Sequence, residues 1–547
     1  MAQQLFFSRD SKLYVEFDSK LWEVPVLDGF SFSQSTNTSD ITLAEMQGAD
    51  GISRRGRRLF TDSLAPAEWS FSTYVRPFYT STEHHAVEEV LWAVMAGADK
   101  YGTIGSQGAL ATLDFSAADT AGDREPGTYI IDSDNSLVAG THGGTAGTFQ
   151  IIVNAAGNAN DVQVVSGGTG YAAAETFIVP ASLIGGGTGS VTIDIDAIDD
   201  DATTGFYRNS QADANSDFGS AVAMPTAAGQ TINFGQSNRA VLATCNLYFV
   251  METSATNPMV YKLENAQINE ASIDFDVDGI ATINWSGFAK NIKDMQSANT
   301  ANVVTVASPG SAPFSAVITA HNTAKGTTTA AGDIILNTSE DFKAYLATGA
   351  SAAVAAIDAG VDQTSAFIRN RLTQCIVSTT DTNAFPSGDY SLTLTGGNVT
   401  VSNNITYLVP EELGNVNIPI EGVTGGRTVT GNFNCYLTLD TTADPANGTH
   451  KGSSVELFNN MTTAGEGLDK VVNDFQVTFQ IGGSVDGNPR LYVSMPKVHI
   501  DVPVHSVEDV ISLETGFGAY TNDFDNADEI VLTYYGNEDS AAVTAYP

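Results

Sequence analysis

Two stretches far apart in the chain, "NPMVYKLENAQI" at 257–268 and "NPRLYVSMPKVHI" at 488–500, share an Asn-Pro opening, a Tyr four residues on and a closing Ile. The likeness continues downstream in "GIATINWSGFA" (279–289) and "DVISLETGFGA" (509–519). Upstream, "AVEEVLWAVMAG" (86–97) aligns without gaps to "SVELFNNMTTAG" (454–465), each reading as one helix closed by glycine, Gly97 and Gly465. A strand precedes each helix, "WSFSTYVRPF" (69–78) and "GNFNCYLTL" (431–439), and a long polar segment precedes each strand. The same five elements in the same order make the chain a duplication, which constrains the fold more than any composition can. Each copy reads hairpin, long loop, strand, helix, strand, hairpin. The expected fold is mainly β: two tandem sandwiches or barrels, each with one flanking helix.

The first copy is expected over 1–114 and 201–296, the second over 365–547. Between the first copy's helix and its next strand, 115–200 has short alternating strands, Gly-rich turns and no lysine, which implies a small inserted β module. Residues 297–364 are Ala/Thr/Ser/Gly-rich and read as a joint with one or two helices, one of them starting at Ser339.

Acidic residues outnumber basic ones 63 to 24, a formal net charge of −39, which opposes binding to nucleic acid or anionic membranes. Adaptation to salt or simple solubility would give the same balance. Cys245, Cys375 and Cys435 lie far apart, without a CxxC pair, and suggest a reducing compartment. The N-terminus has no basic and apolar leader pattern, and no apolar run is long enough to span a bilayer.

Catalytic and metal signatures are missing from the sequence, and no cofactor is expected. His84 and His85 are adjacent at an expected helix start and point apart, so structural or surface roles fit them better than a shared metal. The acidic stretches at 132–136, 194–201 and 522–529 lack the ligand spacing of a calcium loop and read as turns.

Two features remain. In "ASIDFDVDGI" (271–280), strand alternation puts Ile273, Phe275 and Val277 on one face and Asp274, Asp276 and Asp278 on the other. The second copy repeats this weakly, with Ile500, Val502 and Val504 inward and Asp501, Pro503 and His505 outward. The face is either ordinary solvated sheet or the wall of a channel that must not hold polyanions. Against the acidic background stands "SRRGRR" (53–58), whose Arg54, Arg55, Arg57 and Arg58 suit either docking on carboxylates of another copy or an exposed loop.

The chain resembles the tail tube proteins of long-tailed bacteriophages. "NNITYLVPEELGNVNIPIEGVTGGRTVTGNFNCYLTLD" (403–440), "FIRNRL" (367–372) and "NPRLYVSMPKVHI" carry the resemblance in the second copy. "LYVEFDSKLWEVPVLDGFSFSQSTNTSDI" (13–41) and "RRLFTDSLAPAEWSFSTYVRPF" carry it in the first. It implies six folds per ring, inner strands closing into a barrel, and rings stacking into a hollow tube through which DNA leaves the capsid. With two folds per chain it implies a homotrimeric, pseudo-hexameric ring. The long loop, 34–66 in the first copy and 402–428 in the second, would reach the neighbouring ring through Arg54, Arg55, Arg57, Arg58 and Arg427. Asp274, Asp276, Asp278 and Asp501 would line the lumen, passing DNA without holding it, and the Ig-like insertion would project outside. Tail tip or baseplate, tape measure and tail terminator proteins would be partners in a virion assembled in the host cytoplasm. The rivals are a tail-tip hub ring of the same fold, an exported β-rich adhesin, and a depolymerase, which would need paired carboxylates in an aromatic groove.

Overall fold

The computed structural model describes residues 10–41, 58–80, 83–98, 100–104, 109–199, 203–207, 229–234, 242–251, 258–295, 302–358, 367–379, 389–408, 419–439, 451–463, 475–485, 487–507, 510–521 and 528–537. The chain is mainly β, and its described residues close no barrel. Contacts divide it into two units, residues 1–99 with 225–547, and residues 100–224.

The first copy opens with the hairpin β1 (Lys12–Phe17) and β2 (Lys20–Val24). Asp18 and Ser19 both take left-handed φ, 44° and 60°, the geometry of a tight two-residue turn. Next come β3 (Ser31–Ile41) and β4 (Arg58–Tyr74), paired from Ser31↔Ser70 to Ile41↔Arg58. The described parts of the expected loop at 34–66, residues 34–41 and 58–66, are therefore a long antiparallel arm. Its Ser/Thr/Asn residues gave no apolar alternation to read, because the arm is exposed on both faces. The helix α1 (Glu89–Met95) ends as its sequence suggests: Gly97 has φ 86°, its N–H donates to Val94 O (3.2 Å), and Ala98 N–H donates to Ala93 O (2.9 Å). The copy resumes with β5 (Cys245–Met251), β6 (Met259–Asp276) and β7 (Thr282–Ala289). β6 serves two sheets, pairing with β5 through its first half (Leu263↔Leu247) and with β7 through its second (Ile273↔Ile283). Phe32, Phe71 and Phe249 fill the space this bend encloses.

The joint holds α2 (Ser315–Lys325), β8 (Ile334–Asn337), β9 (Lys343–Ala347) and β10 (Ala353–Asp358). No helix starts at Ser339. Asn337 accepts from Ser339 N–H and closes one 3-10 turn, which Asp341 and Phe342 end with φ of 52° and 58°. β9 is buried on both faces: Ala344 and Leu346 pack toward Tyr14 and Tyr248, Tyr345 and Ala347 toward Val317 and Ile318. A strand buried on both faces reads as a continuous apolar run, which periodicity cannot tell from a helix. β10 joins β2 in parallel (Leu21↔Ala356).

The second copy contains β11 (Gln374–Ser378), β12 (Leu394–Ser402), β13 (Thr428–Tyr436), α3 (Ser454–Thr463), β14 (Phe475–Ile481), β15 (Arg490–Ile500), β16 (Val504–Val507), β17 (Ile511–Ala519) and β18 (Val531–Tyr535). β15 repeats the bend of β6, pairing first with β14 and then with β17.

Four strands of each copy form one long sheet in the order β3–β4–β7–β6–β12–β13–β17, with β15 and β16 end to end along the far side of β17. The order β3–β4–β7–β6 in the first copy is repeated as β12–β13–β17–β15/β16 in the second. The copies meet through β6 and β12, paired from Glu270↔Ser402 to Asp276↔Gly396.

In residues 100–224, a three-stranded sheet (127–132, 145–153, 159–169) and a four-stranded sheet (109–115, 139–140, 176–179, 191–199) share a core around Phe149, Ile151, Phe177, Ile193 and Ile195. The buried Arg124 ties its turns, pairing with Asp119 at 2.7 Å and donating to the carbonyls of Gly186 and Gly189.

Candidate functional site

The long sheet is apolar on one face and polar on the other. Phe71, Trp285, Ile273, Phe275, Val399 and Phe433 are buried behind it. Turned the other way are Ser31, Ser33, Glu68, Ser70, Ser72, Asn284, Ser286, Glu270, Ser272, Asp274, Asn398, Thr400, Thr430, Asn432 and Asn434, the residues that alternate with that core. None of these residues is Lys or Arg; the cations of the same strands, Arg58 and Lys262, stand at the far end of the β3–β4 arm and in the half of β6 that pairs with β5.

The polar side chains bond to one another across the strands. Ser31 and Ser70 hydroxyls lie 2.9 Å apart, and the Ser72 hydroxyl donates to Asn284 Oδ1 at 2.6 Å. The Asn284 amide donates to Asp274, which also accepts from Ser272 at 3.2 Å. Thr400, on the second copy, donates to Ser272 at 3.0 Å. One belt thus runs from β4 through β7 and β6 to β12, crossing the junction of the copies. Groups committed to each other offer fewer free donors to a passing phosphate. Burial raises the Asp274 pKa above the usual carboxylate range, while its bonds from Ser272 and Asn284 pull the other way.

The row of three aspartates is shorter than alternation implied. β6 ends at Asp276; Val277 is exposed, and Asp278 sits in the turn, paired with Arg371. A turn breaks the two-residue period, so only Asp274 and Asp276 belong to the strand. In the second copy the phase slips as well: residues 501–503 leave the strand, Pro503 is buried, and Val502 and Val504 are 66% and 69% exposed. Proline cannot donate to the ladder, and the break lets it turn inward. Asp501 is exposed, with His499 Nε2 3.8 Å away.

Arg54, Arg55 and Arg57 lie outside the described residues, and Arg58 opens β4 opposite Ile41. Arg427 is engaged within its own chain: it pairs with Glu529 and donates to Phe234 O at 2.9 Å. His84 and His85 sit on the short strand Glu83–Ala86 rather than on the helix, and both are buried. His84 Nδ1 accepts from Gly536 N–H (2.9 Å), and His85 stacks on Phe78, with burial lowering its pKa to about 4. The three cysteines are buried and free, and among the described residues no cluster of His, Cys, Asp and Glu could hold a metal. Among those residues, too, no helix is long and apolar enough to cross a membrane.

Sequence reasoning missed the belt and the buried Asn403, which donates to Met95 O at the end of α1 (3.1 Å) and to Ile268 O (3.2 Å). The polar members of the belt were visible as every second residue in "SIDFD", "TINWS" and "NVTVS", but their cross-strand register was not.

The long sheet also ends in two edges. Among the described residues, β3 pairs only with β4, and β16 only with β17. Edges of this kind are templates for another strand. The described residues thus present a doubled sheet with a polar face and two unpaired edges.

No protein-family profile matches the chain. It is similar to the tail tube protein pb6 of Escherichia phage T5, 22% identical over 515 residues that cover 94% of this chain and 70% of the relative. That similarity agrees with the resemblance read from sequence and supports a tail tube protein of long-tailed phages, a structural component of the virion's tail.

Proposed function

We propose that three copies of the chain close into a pseudo-hexameric ring, that rings stack into a hollow tube, and that the polar face of the long sheet lines the lumen through which the genome leaves. The repeated strand order carries this reading. Inside the chain, the last strand of one four-strand set (β6) pairs with the first of the next (β12). Repeating that step between chains brings the β15/β16 edge of one subunit to the β3 edge of another. Two sets per chain and six per ring require three chains.

The lining suits transit because it offers DNA no cations and few free donors, with scattered carboxylates repelling phosphate. This account rests more on neutrality and internal hydrogen bonding than on a dense acidic row. Asp274 and Asp276 remain in the lining, and Asp501 belongs near the closing edge; Asp278, paired with Arg371, contributes less. The tail tip, tape measure and terminator proteins of the same virion are the expected partners.

The test is to replace Asp274 and Asp276 by Lys in assembling protein and follow DNA ejection in virions that carry it. Slowed or stalled ejection supports a luminal face. Ejection at the wild-type rate contradicts it.

A further inference from the structure

Where the two copies meet, the polar face holds a pocket that the belt does not fill. Two lateral rows of residues cross the junction there. One runs Asp274, Asn398, Asn432 from β6 through β12 to β13, and the next runs Asp276, Gly396, Asn434. Thr395 is an extra residue of β12 in its pairing with β13, a bulge of the kind that re-aims side chains beside functional sites. At Gly396 the middle strand has no side chain, and a Cβ there would begin 3.5 Å from that of Asp276. The gap opens into a cavity of about 330 Å³, lined by Asp274, Asp276, Asn370, Gly396, Asn398 and Asn434 among others.

The lining is rich in oxygen, and part of it is unpaired. Asn370, from the 3-10 turn Asn370–Leu372, is only 5% exposed, and its Oδ1 is buried without a hydrogen-bond partner. Asn434 Oδ1 is buried and unpartnered too. An unpaired buried amide oxygen carries the full desolvation penalty of the group, so two of them on one cavity mark a place for a donor or a cation. Charge decides between these. Asp276 keeps capacity beyond the one bond that its Oδ1 accepts from Asp278 N–H at 3.1 Å. Asp274 is already bonded to Ser272 and Asn284, so it supplies field rather than a ligand. No Lys or Arg lines the cavity, and Arg371, in the same turn as Asn370, is neutralised by Asp278.

The spacing suits an ion. β6 and β13 stand two strand spacings apart, about 9.6 Å, so a midpoint ion lies about 4.8 Å from each backbone. An oxygen leaning about 2.4 Å inward from each side leaves a bond of about 2.4 Å, the length calcium prefers. Magnesium, with bonds near 2.1 Å and a strict octahedral demand, fits a mixed set of amides and one carboxylate less well.

We propose that this pocket binds calcium, with Asp276, Asn434 and Asn370 as protein ligands, Asp274 as a second negative charge and water completing the shell. All of these groups belong to one chain, so the inference does not rest on ring formation. The ion ties β6 of the first copy to β13 and the 3-10 turn of the second, and it cancels the two carboxylates at the junction. With so few charged ligands the site falls in the weak class, with Kd on the order of 0.1–1 mM.

The test is calorimetric titration of the full-length chain with calcium chloride and, separately, magnesium chloride. Ionic strength is held constant, because a net charge of −39 attracts any divalent ion diffusely. One saturable calcium site per chain is expected, weakened at least tenfold by Asp276→Asn and by Gly396→Val, which fills the gap without touching a charge. Glu125→Gln, an exposed acid in residues 100–224, should leave it unchanged. Thermal unfolding without calcium checks that each variant folds; should Gly396→Val fail, the nearly isosteric Asp276→Asn decides alone. Calcium binding that never saturates, that magnesium matches, or that survives Asp276→Asn unchanged would overturn the site.

Discussion

In the first copy β6 runs unbroken to Asp276 and gives its far half to the second copy; in the second, the corresponding run is cut at 501–503 and ends on an edge. Position by position the contrast is sharper. Ile273, opposite Ile283, is fully buried against Val399, whereas its counterpart His505, opposite Leu513, is exposed. Ser272, bonded into the belt, corresponds to Val504, which is 69% exposed. The same fold therefore carries two versions of one strand, one paired on both sides inside the chain and one ending on an edge. The helices differ in the same direction. Trp92 of α1 is fully buried, donates to the Tyr534 hydroxyl at 2.8 Å and meets Trp285 edge-on, while the aligned Asn460 of α3 is half-buried and donates to Tyr390.

Substitutions at matched positions should separate the copies. Trp92→Ala should cost about 4 kcal/mol in urea unfolding of the dispersed subunit, and Asn460→Ala only about 1 kcal/mol. Ile273→Ala should cost about 3 kcal/mol, while His505→Ala stays within about 0.5 kcal/mol. Equal losses at either pair would remove the asymmetry on which the comparison rests.

A third experiment sharpens the contrast through pH. Glu88, at the start of α1, is completely buried, and burial raises its pKa to about 7, with Arg76 pulling the other way. The proton is held more tightly folded than unfolded, so its stabilisation is complete below the ordinary carboxylate range and is lost as pH rises through about 7. The advantage of Glu88→Gln over wild type should therefore grow between pH 5 and 7 and level off above, reaching roughly 3 kcal/mol. A pH-independent difference would mean that Glu88 is not a buried carboxyl. The smallest effect belongs to the belt: Asn284→Ala should cost about 1 kcal/mol, read from the same unfolding curves.

Much of this was legible in the sequence because duplication makes each weak signal appear twice. The helix ending at Gly97 and the alternation around Ile273 and Phe275 follow from local residue types. What failed to show was decided at long range. The pairing of β6 with β12 joins residues more than a hundred positions apart, and nothing near Val399 announces its partner. The β3–β4 arm was hidden by exposure on both faces, β9 by burial on both. Asp278 was misplaced because a turn begins one residue after Asp276.

Imaging the purified full-length chain by electron microscopy as it is concentrated tests the central claim most directly. The account predicts hollow tubes whose rings each contain three chains in a six-lobed wall. Monodisperse monomers at high concentration, or isolated rings that never stack, would contradict it.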